Sequence, residues 1–187
     1  MVPVFSLWLP IVLSAAFVFV VSSVLHMLFQ YHESDFDRLP DEDAFRAAVR
    51  PLAIPPGDYL VPKPDTPKDR TSEAYRAKLE KGPVLFMTVY PNGQFSMGAS
   101  LAQWFVYSII VSIFAAYIAG RALGPGAHYL EVFRFAGATA FAGHGLALLQ
   151  ASIWYRRKWS ATLKSLFDAL VYALITAGTF GWLWPGA

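Results

Sequence analysis

Val4 to Phe29 reads VFSLWLPIVLSAAFVFVVSSVLHMLF, and no Asp, Glu, Lys or Arg interrupts it. As a helix rising about 1.5 Å per residue, the run is long enough to cross a hydrocarbon layer about 30 Å thick. A cleaved signal peptide would carry a basic lead-in, a shorter apolar core and small residues at its end. Here no Lys or Arg precedes the run, and it closes on bulky Leu28 and Phe29. The stretch predicts a retained membrane helix over 4–29.

Three further runs of the same kind follow. They are 101–120 (LAQWFVYSIIVSIFAAYIAG), 132–154 (VFRFAGATAFAGHGLALLQASIW) and 163–184 (LKSLFDALVYALITAGTFGWLW). Soluble helices would show polar stripes at a 3.6-residue period, and these barely do. Trp104, Trp154, Trp159, Trp182 and Trp184 fall near segment ends, where amphipathic rings settle among lipid headgroups. Composition agrees: 56% of the 187 residues are hydrophobic and 15% are charged, against about 25% charged in soluble domains. The expected fold is an all-α integral membrane protein. Four transmembrane helices form a single membrane domain in a lipid bilayer, with a mixed connection over 30–100 between the first two.

A net charge of +2 gives no footing for nucleic acid. The absence of cysteine excludes disulfides, thiolate metal sites and covalent c-type haem. Orientation follows from the short turn between the third and fourth segments. It reads YRRKWSATLK, is basic and acid-free, and predicts a cytoplasmic location. The 30–100 connection, with nine of the fifteen Lys and Arg residues, then lies on the same side, with both termini outside. The pattern suits a bacterial-type inner (plasma) membrane.

Within the connection, LPDEDAFRAAVRPL and TSEAYRAKLEKG read as short helices, the second capped by Thr71 or Ser72 and ended by Gly82. The Pro-rich AIPPGDYLVPKPDTPKD between them reads as extended or turned. Val84 to Tyr90 has strand composition, and the following YPNG suggests a hairpin. The whole is expected to fold as a cap over the cytoplasmic helix ends.

The densest group of potential ligands sits where the first helix meets water, in LHMLFQYHESDFDRLPDED. Histidine nitrogen with carboxylate oxygen suits a divalent transition metal, so His26, His32, Asp35 and Asp37 form a candidate metal site, with Glu33 beside them. His26 and His32 are six residues apart, about 240° round a helix. They meet one ion only if the helix ends between them. Otherwise the stretch is a polar collar at a helix end.

Two ionisable groups lie inside later spans. His144, between Gly143 and Gly145, is expected to bond a neighbouring hydroxyl or carbonyl as a neutral ring, or to line a transport path. Asp168, one turn into the fourth helix, is expected to pair with Lys164 or with Arg156 or Arg157. Glu131 and Arg134 are expected to pair at i, i+3. A haem between His26 and His144 is unfavourable, since the two sit at depths that differ by about 15 Å at 1.5 Å per residue. Small residues every four positions, Ala136, Ala140 and His144 on one row, Gly137 and Gly145 on another, and Ala116, Gly120 and Gly124 on the second helix, predict close helix packing.

No phosphate loop, nucleophile elbow or zincin motif is present. The leading functional expectation is a non-catalytic accessory subunit or homo-oligomer, with itself or other membrane subunits as partners. The alternatives are a metal-dependent membrane protein using the His/Asp group, and a small channel or transporter with His144 in its path.

Overall fold

A computed structural model describes residues 1–94 and 96–186. Four helical stretches among them are long and apolar enough to cross a membrane: Val4–Met27, Met97–Ala122, Tyr129–Tyr155 and Trp159–Trp182. Chain contacts divide the molecule into two compact units, one of residues 1–37 and 96–186 and one of residues 38–94.

The first span opens as a 3-10 turn and continues as α1, Trp8–Met27. Within the smaller unit, α2 spans Glu42–Val49, and Asp41 caps it by accepting the Ala44 N–H at 2.8 Å. Strand β1 is Gly57–Val61. Helix α3 is Glu73–Lys81, capped by Ser72 and ended at Gly82 as expected. Strand β2 is Leu85–Val89. The strands pair antiparallel, from Gly57 opposite Val89 to Val61 opposite Leu85. The partner of β2 therefore lies upstream, inside the Pro-rich stretch, and YPNG does not turn β2 into a local hairpin. Chain already extended by its prolines offers a free edge, and Thr88 ties the pair by donating to Asp58 Oδ1 at 2.6 Å.

In the larger unit, α4 is Met97–Ala122, α5 is Tyr129–His144, α6 is Leu149–Tyr155 and α7 is Trp159–Trp182. Consecutive spans run antiparallel. Contacts between α1 and α4 join Val2 to Gly120, Ser14 to Ser112 and Ser22 to Trp104 in descending order. Contacts between α5 and α7 do the same.

The third span, expected as one helix over 132–154, is broken. It ends as α5 at His144, passes a 3-10 turn at Leu146–Leu148 and resumes as α6. Two glycines flanking His144 weaken the helix by about 1 kcal/mol each. Tyr107 adds an outside partner by donating to the Gly143 carbonyl at 2.5 Å. At its start, α5 is held by a capping box in which Glu131 Oε2 accepts the His128 N–H at 3.2 Å. Glu131 thus serves the backbone rather than pairing with Arg134.

Small residues set the helix spacing. A Cβ on Gly137 would lie 3.0 Å from that of Ala177, and one on Gly145 would lie 3.1 Å from that of Ala169. Lipid is as apolar as a leucine side chain, so close packing and interhelical hydrogen bonds hold such helices together. Gly124, by contrast, faces open space. The main apolar cluster, including Val2, Leu7, Ala116, Val132 and Phe180, sits at the end of the bundle away from His26. The end with the polar residues is held differently.

Candidate metal centre at the joint of the first and last spans

Helix α1 ends at Met27, and Gln30 turns the chain with a left-handed backbone (φ 47°). A short 3-10 turn, Tyr31–Asp35, then folds back onto α7. The helix ending between His26 and His32 is the condition under which the two imidazoles meet, and they do. Their rings stack with centroids 4.6 Å apart and planes 7° apart.

Asp168 lies beneath them, its side chain 5% exposed. It pairs neither with Lys164 nor with the arginines, contrary to the sequence expectation. Its Oδ2 sits 2.8 Å from His32 Nε2 and 3.9 Å from His26 Nε2, and its Oδ1 accepts the Tyr31 hydroxyl. Lys164 is drawn away to the 3-10 turn. Its ammonium donates to the Tyr31 carbonyl at 2.6 Å, Ser34 Oγ at 2.7 Å and Asp35 Oδ1 at 3.0 Å. All three donors of the group are used.

Asp35 is buried, and its Oδ2 meets His32 Nδ1 at 2.7 Å and Arg157 at 3.4 Å. Burial alone would raise its carboxyl. The hydrogen bonds and charges of His32 and Lys164 outweigh that and hold it below the usual carboxylate range. The Tyr31 hydroxyl is pushed above its ordinary value by burial, by its bond to Asp168 and by the charges of Asp168 and Asp35, so it stays a donor. Asp37 stands apart: its side chain is 74% exposed and meets Lys158 at 2.5 Å.

The hydrogen bonds orient both imidazoles. His26 Nδ1 lies 3.0 Å from the Ser22 carbonyl, which only accepts, so Nδ1 carries the proton and Nε2 the lone pair. His32 Nδ1 faces Asp35 in the same way. In a neutral ring that leaves a lone pair on His32 Nε2 facing a carboxylate oxygen. Only a proton or a metal ion between them makes that contact attractive. Of the expected ligands, the structure brings His26 and His32 together beside Asp168, places Asp35 behind His32 and leaves Asp37 apart. Ligand atoms of His26, His32 and Asp168 all lie within 4.8 Å of one another. A bound ion lies in the plane of each imidazole, at about 2.0–2.1 Å from nitrogen for zinc. Two parallel rings do not share an ion as they stand. The side chain of His26, 50% exposed, has the room to turn.

His144 sits elsewhere, in an aromatic box of Trp104, Tyr107 and Tyr172, with centroids 5.4 to 5.9 Å from its own. Its Nδ1 and the Tyr172 hydroxyl are buried with no hydrogen-bond partner among the described residues. No hydroxyl or carbonyl of the described residues bonds that Nδ1.

A signal for Asp168 existed in the sequence: it is the one acid within the later apolar segments apart from Glu131 near the start of the third. Its partners come from far along the chain, and nothing local reveals them. Comparison with family models, with curated proteins and with solved structures finds no match to this chain.

Proposed function

We propose that this is an integral membrane protein that holds a divalent transition-metal ion where the first and last spans meet. The ligands are His26 Nε2, His32 Nε2 and Asp168, and the site faces the cytoplasm. The observation that carries this proposal is the convergence of His26, His32 and Asp168, whose ligand atoms lie within 4.8 Å of one another, with His32 held through its Nδ1 by Asp35. Metal-binding histidines are oriented by carboxylate partners of this kind. Tyr31 and Lys164 hold the turn and the acid in place.

Two nitrogens and one carboxylate leave a coordination position open, as in catalytic rather than structural zinc sites. The bound ion is then a Lewis acid toward an oxygen-bearing ligand. This moves the metal-dependent role ahead of the accessory-subunit role, whose support was the lack of any recognisable site. The closed aromatic box around His144 favours packing over a conduction path.

Elemental analysis of the gently solubilised protein tests this, beside His32→Ala, Asp168→Asn and Asp37→Ala. The expected result is a stoichiometric transition metal in the wild type and in Asp37→Ala, and its loss in the other two. A wild type that retains no metal after incubation with zinc, iron, manganese or cobalt overturns the proposal. So does full retention in Asp168→Asn.

A further inference from the structure

On the outward face of α4 and α5 lies an open groove of about 620 Å³. Ile118 is its α4 wall, and Arg134, Phe135, Ala138, Thr139 and Ala142 form its α5 wall. The α5 positions recur at helical spacing, so the groove follows one face of that helix for about 12 Å. The Thr139 hydroxyl is committed to the Phe135 carbonyl at 2.8 Å. Below Arg134 the walls are therefore apolar.

The outer end of the groove is basic. Arg134 stands five positions after the start of α5. Arg121, in the last turn of α4, is three positions after Ile118 and shares its face. Helical side chains lean toward the N-terminus of their own helix. Because α4 and α5 run antiparallel, this carries Arg134 outward toward water and Arg121 back over Ile118, so the two guanidinium groups approach one level. Neither arginine has an ion-pair partner among the described residues. The one acid at this end among the described residues is Glu131, whose Oε2 accepts the His128 N–H at 3.2 Å.

Two arginines without acids, set above an apolar trough on a membrane-facing surface, select an anion that carries its own hydrocarbon. Guanidinium groups pair with phosphate through parallel hydrogen bonds. A second copy of this chain offers only Glu131 at that depth, already engaged in its cap. A soluble anion meets the arginines and leaves the trough bare. We infer that the groove binds an anionic phospholipid, with its phosphate between Arg121 and Arg134 and one acyl chain along Ala138 and Ala142. The site is at the end of the bundle away from His26 and is independent of the metal proposal.

The test is native mass spectrometry of the full chain released from nanodiscs. The discs hold equal amounts of phosphatidylglycerol and phosphatidylcholine with identical acyl chains. One retained phosphatidylglycerol is expected, with a several-fold preference over phosphatidylcholine. Arg134→Gln, at an exposed side chain with no partner to lose, is expected to abolish the preference, and Arg134→Lys to keep part of it. Ala138→Trp and Ala142→Trp, both at exposed positions, fill the trough and spare the arginines. Both are expected to lose the retained lipid. Glycerol phosphate, the same anion without chains, is expected not to displace it. Equal retention of the two lipids overturns the inference, as does undiminished preference in Arg134→Gln. Full retention in both tryptophan variants, displacement by glycerol phosphate, or a lipid-free dimer in place of the lipid adduct overturns it too.

Discussion

His32 Nε2 lies 2.8 Å from Asp168 Oδ2, across 136 positions of the chain. The opposite nitrogen of the same ring meets Asp35 at 2.7 Å. One imidazole therefore joins the turn after the first span to the last span, with a carboxylate on each side. Lys164 and Arg157 meet Asp35 on one side of that bridge, and Tyr31 meets Asp168 on the other.

Lys164 is the clamp on the turn, and its removal takes one of three basic partners from a buried acid. Asp35 has a side chain 2% exposed, and Lys164 supplies one of its charged partners. Breaking a buried pair by deleting one member costs about 3 kcal/mol or more. Lys164→Met is expected to lose about that much in reversible unfolding in mixed micelles. Combining it with Asp35→Leu is expected to recover part of the loss, because the buried acid that lost its ammonium partner is then gone, while Arg157 and His32 lose theirs.

Tyr172→Phe is expected to cost nothing or to stabilise slightly. The hydroxyl it deletes is buried and has no partner, and an unsatisfied buried polar group carries a desolvation penalty of about 1–3 kcal/mol. The thermal midpoint of the variant should equal or exceed that of the wild type. A drop of several degrees would mean that an ordered water or a ligand bonds the hydroxyl.

Gly120 on α4 and Gly124, two residues beyond its end, should behave oppositely. A Cβ at Gly120 would lie 2.5 Å from the backbone oxygen of Val2, whereas one at Gly124 meets nothing within 4 Å. Overpacking of this kind costs about 1–3 kcal/mol. Gly120→Ala is expected to lose stability in that range and to loosen the first residues, read as faster proteolysis there. Gly124→Ala is expected to match the wild type in the same assay.

Asp37→Ala is expected to change unfolding stability by less than about 1 kcal/mol, since its pair with Lys158 is exposed and screened. This sets it against Asp35, two positions earlier and of the same chemistry. A large loss on removing Asp37 would place it inside the charge network after all.

The four long apolar stretches were plain in the sequence because nothing else produces uninterrupted hydrophobicity of that length. The ends of the connection's second short helix were plain too, since Ser72 and Gly82 act locally. The break after His144 was not, because glycines beside a histidine also serve close packing, and the tyrosine that caps the broken turn is on another helix. The strand pairing was misjudged for the same reason: YPNG is a local signal, and β1 is not local to β2. The site was half legible. His26 and His32 stood out by residue type, and the requirement that a helix end between them was readable. Asp168 had a plausible partner four residues away in Lys164, and that short-range pair masked the longer one.

The joint between α1 and α7 has a bearing on how the protein is made. His32 and Asp35 leave the ribosome well over a hundred residues before Lys164 and Asp168 do, with separations of 129 and 136 positions. A chain arrested before its last helix carries the early half of the network without the Lys164 and Asp168 that complete it. The joint thus closes only once α7 has been made and has docked, and until then His32 and Asp35 stand without their partners on that helix.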